Sequence, residues 1–213
     1  MRRPFIEAVC NEKQQKEFEN TWEFLCSKMG WFNDPYSEHG VRYLIVLGEN
    51  NNREIIGTIE FIPYHPNNPH STVEGKTEIS FSLLPEFKNY YKRIWEIDKL
   101  CIKQEYQRKG YFYLFLYVFY YHARQYSPRY YIALIEKKFF RMLKISFGLH
   151  VDKVGEELIG PGTSLVPVKF HIESIISNKK VIKGLLSNNK KPPLKKQSLI
   201  YQYFKQYFKL KLY

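Results

Sequence analysis

Eighteen consecutive residues, Trp95 to Phe112, constrain this chain more than any other stretch. Trp95 to Lys103 reads as a buried strand, Gln104 to Gly110 as a polar turn, and Phe112 to Gln125 as a helix. The helix is apolar nearly all the way round, so it belongs in the interior of a layered fold. A strand that turns through a glycine into a helix start presents unpaired N–H groups and the positive end of a helix dipole. Phosphate or pyrophosphate is the natural guest of such a turn. Gln107, Arg108, Lys109, Gly110, Tyr111 and Phe112 are therefore its candidate binding residues, with Arg108 and Lys109 adding positive charge. The plain alternative is an ordinary strand–turn–helix connection.

The rest of the chain reads as alternating elements. Gln14 to Met29 places Phe18, Trp22, Leu25, Cys26 and Met29 on one helical stripe. A loop rich in Pro and Gly follows, from Gly30 to Gly40. Tyr43–Leu47 and Ile55–Ile62 form two strands around a polar turn, and Glu78 to Leu84 is expected to be a further strand. Beyond the central helix come a strand (Arg129 to Ile135) and a helix (Lys137 to Ser146) closed by Gly148. A final hairpin pairs Val151–Ile159 with Ser164–Phe170.

Leu100, Ile102, Tyr106, Gln107, Lys109 and Gly110 resemble the acyl-CoA-binding motif of the GCN5-related N-acetyltransferase (GNAT) superfamily. Gln104 stands where that motif often has proline, and Phe112 where it has a small residue. The element order is similar too. The flanks resemble the autoinducer-synthase and long-chain N-acyl amino acid synthase branch: Gly30-Trp31 followed by Asp34 and Glu38, then Glu96-Ile97-Asp98-Lys99-Leu100. Lys99 and Glu60 occupy places where that branch has arginines, and Lys144 sits where the superfamily often has a proton-donating tyrosine.

The resemblance implies an α/β (α+β) fold, a mixed twisted β-sheet flanked by helices, over residues 1–176. Residues 177–213 form a basic, aromatic extension with an amphipathic pattern. It also implies an N-acyltransferase that moves an acyl group from acyl-CoA or acyl-phosphopantetheine, as cosubstrate, to an amine by direct attack. The alternative is a non-catalytic module of the same fold that binds a thioester or protein partner. A backbone N–H near Ile102 or Lys103 would meet the oxyanion, as the family arranges through a bulge in this strand.

Acyl transfer to an amine needs a base for the ammonium proton and a stabilised oxyanion. Strand alternation places Glu96 and Asp98 on one face together with Leu100 and Ile102, and Cys101 on the other. Two carboxylates beside apolar residues raise each other's pKa, which suits a base working near neutral pH. Glu96 is the first candidate and Asp98 the second. The six histidines are scattered along the chain, so no metal is expected.

Charge separates the two segments. The chain carries +12 overall, and residues 171–213 hold ten lysines and one acid, leaving only +3 for the first 170 residues. A nearly neutral domain with a basic tail excludes a uniformly basic nucleic-acid binder. Three readings of the tail stay open: its aromatic stripe docks on the chain's own core, or it meets an acidic acyl carrier protein, or it makes weak contact with anionic membranes through residues 195–213. No apolar run approaches the roughly 20 residues that span a bilayer, and the N-terminus lacks a secretory pattern. Three widely spaced cysteines outside any metal pattern point to a cytoplasmic chain with buried thiols.

Overall fold

The computed structural model describes residues 3–49, 52–76, 80–145, 148–160 and 163–177. The basic extension expected over residues 177–213 lies outside them beyond Ser177.

Among the described residues, eight strands form one mixed sheet: β1 (Pro4–Ala8), β2 (Val41–Leu47), β3 (Glu54–Pro63), β4 (Ile94–Ile102), β5 (Tyr130–Glu136), β6 (Val151–Lys153), β7 (Leu158–Gly160) and β8 (Thr163–His171). Their order is β1-β2-β3-β4-β5-β8-β6, with β7 also on β8. Every pairing is antiparallel except β4 with β5, the parallel step that the central helix makes possible. With helices α1 (Glu12–Met29), α2 (Tyr113–Tyr126), α3 (Lys137–Ile145) and α4 (Ile172–Ser177), this is the mixed α/β architecture the sequence implies.

Each face of the sheet has its own cover. On one face, Leu114 to Phe119 of α2 and Leu143 of α3 pack on Ile59, Phe61, Trp95, Tyr131 and Val168. On the other, Phe18 of α1 meets Phe5, Leu44 and Val46, while Trp22, Leu25 and Cys26 meet Cys101. Residues 64–76 and 80–93 cover another part of this second face, where Tyr64, Val73, Phe81 and Phe87 close over Ile94, Tyr130 and Ile132. Asn11 caps α1 by accepting the Gln14 N–H, and Gly30 ends it at φ +66°, a conformation that favours glycine.

Four expectations change. The N-terminal strand β1 escapes a local reading because its partner β2 lies beyond the whole of α1. In the segment expected to be a strand from Glu78 to Leu84, residues 78 and 79 lie outside the described residues; Phe81–Leu83, and Pro85–Phe87 after it, are 3₁₀ turns. Proline at position 85 removes a ladder donor and favours such a turn. Met29, at the end of α1, is exposed rather than part of the buried stripe. The expected strand Val151–Ile159 is split into β6 and β7, both on β8, with Gly155 at φ +125° in the interruption.

Candidate active site

The site is built where β4 and β5 part. They pair at Ile94↔Tyr130, Trp95↔Tyr131 and Glu96↔Ile132, and there the parallel ladder ends. β5 continues along β8 as far as Glu136, while β4 continues along β3 to Ile102. From Ile97 onward, the edge of β4 that faced β5 has left that ladder. Such an edge offers backbone groups to an extended guest.

Within the same stretch β4 carries a bulge. Thr58 pairs with Cys101 and Glu60 with Asp98, so three steps on β4 oppose two on β3. Lys99 takes φ +48°, and the Thr58 hydroxyl donates to its carbonyl at 2.8 Å. The extra residue reverses the alternation. Leu100 and Ile102 therefore pack toward the α2 face, and Cys101 joins Trp22 and Cys26 on the α1 face with Glu96 and Asp98. This corrects the faces read from strict alternation. Gly57 lies opposite, where a Cβ would come within 2.4 Å of the Cys101 carbonyl oxygen.

Glu96 stands on the last rung before the parting and is fully buried. Its carboxylate accepts from Ser71 Oγ at 2.8 Å, from the Thr72 N–H at 2.8 Å and from Thr72 Oγ1 at 3.0 Å. Burial pushes its pKa up to about 7, against the pull of the Thr72 and Ser71 hydrogen bonds; Asp98 adds a smaller upward push. A carboxyl that titrates near 7 and is fixed in orientation has the properties of a general base. The expected mutual perturbation of two acids is thus mostly burial.

Asp98 has a different neighbourhood. Lys99 bridges it to Glu60, with its Nζ 3.1 Å from Glu60 Oε2, and both Lys99 and Glu60 are inaccessible to solvent. Arg42 reaches the other Glu60 oxygen at 2.7 Å. Burial pulls the Lys99 ammonium down, but Asp98 and Glu60 outweigh it and hold its pKa above the ordinary value. Burial also raises Glu60, opposed by Lys99 and Arg42. The cluster fastens the loop after α1: Lys99 Nζ donates to Pro35 O at 3.4 Å and Arg42 to Ser37 O. The Tyr36 ring lies 5.1 Å from Lys99 Nζ and 5.7 Å from the Arg42 guanidinium. Asp34, in the same loop, has its pKa raised by burial and by Asp98.

Beyond the bulge the chain enters the candidate phosphate turn. The Lys103 N–H donates to Ile56 O at 2.8 Å, which removes it as an oxyanion donor. Alternation then turns the Ile102 N–H to the opposite edge, toward the parted side. The Gln107 amide donates to Ile102 O at 3.0 Å and ties the turn to the strand. Arg108 (φ +60°) and Gly110 (φ +81°) both take left-handed conformations, and a Cβ on Gly110 would meet nothing within 4 Å. Arg108 and Lys109 are exposed, and Lys109 Nζ lies 5.4 Å from the Tyr106 ring. Tyr111 packs edge-on to Tyr106. Phe112 packs on Phe115 and Phe139, so its ring serves the α2–α3 contact.

The structure therefore brings Glu96, Asp98, Ile102 and the 107–112 turn to one strand and its continuation. Ser71, Thr72, Arg42 and the structural use of Lys99 are additional. Only the Pro/Asn-rich loop before Ser71 marks that segment in the sequence, and nothing local pairs it with Glu96. Lys144 is exposed, 5.5 Å from the Phe140 ring. Of the histidines, His122 is buried, its pKa lowered by burial to about 3, and stacks on Phe61. His150 and His171, distant in sequence, stack on each other. Cys26 and Cys101 are buried as expected, whereas Cys10 is exposed.

Residues 30–117 match the family model for an acetyltransferase (GNAT) domain. No curated protein matches the chain. Among solved structures, FeeM, an N-acyl amino acid synthase from uncultured soil microbes, superposes with a TM-score of 0.60 at 12% identity, covering 81% of this chain and 93% of that one. BjaI, a CoA-dependent acyl-homoserine lactone synthase in complex with MTA, gives 0.59 at 13% identity, covering 85% and 87%. TofI, in a ternary complex with an inhibitor and MTA, gives 0.54 at 16%, covering 80% and 91%. At these identities the likeness is one of fold. No helix among the described residues is long and apolar enough to cross a membrane.

Proposed function

We propose, from the match of residues 30–117 to an acetyltransferase (GNAT) domain model, that this chain is an N-acyltransferase taking an acyl group from a pantetheine thioester to an amine. The observation that carries the reading is the parting of β4 from β5 at Glu96, with a buried carboxylate of raised pKa on the last shared rung. An extended pantetheine arm would lie along the edge of β4 that has left β5, with its carbonyl near the Ile102 N–H. The 107–112 turn would hold the phosphates through its backbone, and Arg108 and Lys109 would add charge. Acyl-CoA is the favoured donor. The acyl-homoserine lactone synthase BjaI is described as CoA-dependent, and the turn here ends in a left-handed glycine facing open space. Acyl carrier protein remains the alternative donor, with the basic extension as its expected contact.

Glu96 would accept the ammonium proton. The freed amine attacks the thioester carbonyl, the C–N bond forms and the C–S bond breaks, and the thiolate leaves with a proton. Ser71 and Thr72 orient the base. On the loop side of the site Asp34 is paired with Lys76 at 3.8 Å and Asp98 with Lys99. Lys99 and Arg42 neutralise Glu60 and hold the loop that carries Asp34. FeeM is described as an N-acyl amino acid synthase, and an amino-acid acceptor is the candidate that this likeness supports.

Native mass spectrometry with a panel of acyl-CoAs, acyl-loaded carrier protein and an equimolar amine mixture tests the reading. Retained thioester plus an acylated amine is the expected result. Thioester binding without turnover across a broad amine panel would favour the non-catalytic module, and no thioester binding would overturn both.

A further inference from the structure

At the far edge of the sheet, three side chains with metal-ligating atoms meet on one face. Val151 pairs with Phe170 and Asp152 with Lys169, and the His171 N–H donates to His150 O at 3.1 Å. His150 and His171 are thus directly opposite across two strands, and Asp152 lies two residues along from His150 on the same face. The imidazole rings stack with centroids 3.9 Å apart and planes 6° from parallel. His171 Nε2 is 2.6 Å from Asp152 Oδ2, and His150 Nε2 is 3.8 Å from Asp152 Oδ1.

We propose that His150, Asp152 and His171 form a binding site for a divalent transition metal of the zinc class. One ligand atom from each lies within 4.8 Å of the other two. Two nitrogens and a carboxylate oxygen, with open positions for water, suit zinc and its borderline neighbours; magnesium and calcium prefer all-oxygen sets. Ligand atoms around one zinc ion are about 3.3 Å apart. Rotation of half-exposed side chains at a sheet edge supplies the remaining approach. Two outer contacts orient the rings. His150 Nδ1 lies 3.3 Å from Ser174 Oγ on α4, which leaves Nε2 for the metal, and the His171 ring stands edge-on to Tyr130 at 5.5 Å. The opposing charge is Lys169, 3.8 Å from Asp152 Oδ2, and it is already paired with Glu86. A bound ion would join β6 to β8 and, through Ser174, to α4. It lies beyond β5 and β8 from the Glu96 site and is independent of the acyltransferase reading.

The test is calorimetric titration of the full chain with zinc chloride, repeated on His150→Ala/His171→Ala and on Asp152→Asn. The expected result is one ion per chain in the parent and loss of that binding in the double variant. Asp152→Asn, which preserves side-chain size, should bind about tenfold more weakly or worse. Cobalt should give visible absorption bands in the parent that weaken in Asp152→Asn. No zinc binding by the parent, or unchanged affinity in either variant, would overturn the proposal.

Discussion

Glu96 shows how burial turns an ordinary acid into a candidate base. Its folded pKa of about 7 lies above the ordinary carboxylate value near 4.5, so the native state holds the proton more tightly than the unfolded chain. The stability this contributes is complete below pH 4.5 and is lost as pH rises through 7, on the order of 3 kcal/mol in all. Glu96→Gln keeps an acceptor for Thr72 and removes the titration. Urea unfolding should find that variant at least as stable as the parent at pH 8. Its turnover should fall by about 100-fold or more, while thioester binding persists. Lys99 is the reverse case. Lys99→Met would leave Glu60 and Asp98 without their shared cation, and chemical denaturation should report a loss of about 3–5 kcal/mol. Gly40 belongs to the same cluster. Its added Cβ would approach Glu60 Oε1 to 2.0 Å, and that carboxylate is held by Arg42 and Lys99. Gly40→Ala should therefore destabilise by about 1–3 kcal/mol in the same measurement.

The element that decides the site is β4. Its strand character, the glycine turn and the buried helix after it are legible in the sequence because they rest on local periodicity. The bulge is not. Lys99 at φ +48° has no sequence signature, and one extra residue moved Leu100 and Ile102 to one face and Cys101 to the other. Gly57 offers a retrospective signal, since a glycine inside an apolar strand marks a close backbone approach. Its replacement by alanine would drive a Cβ into the Cys101 carbonyl. A loss of about 2 kcal/mol or more is expected on thermal or urea unfolding, together with weaker thioester binding, because the bulge sets the direction of the Ile102 N–H. The segment 64–93 was harder still to read. Its grip on Glu96 through Ser71 and Thr72 joins residues more than twenty positions apart, and no periodicity reports such a contact.

For the whole molecule, the order of elements carried the fold, and non-local pairing carried what was missed. β1 needs β2 beyond an eighteen-residue helix, and His150 finds His171 only through the β6–β8 ladder. The parting of β4 from β5 likewise belongs to the assembled sheet, since neither strand alone encodes where their ladder ends. The most direct measurement of the acyltransferase account is the rate of acyl-amine formation from pH 5 to 9, for the parent and Glu96→Gln. A base with a pKa of about 7 must lose its proton to act, so the parent rate should climb with pH and level off above an inflection near 7. Glu96→Gln should retain thioester and lose both the rate and the inflection. A parent profile without that inflection, or an unchanged rate in Glu96→Gln, would contradict the account.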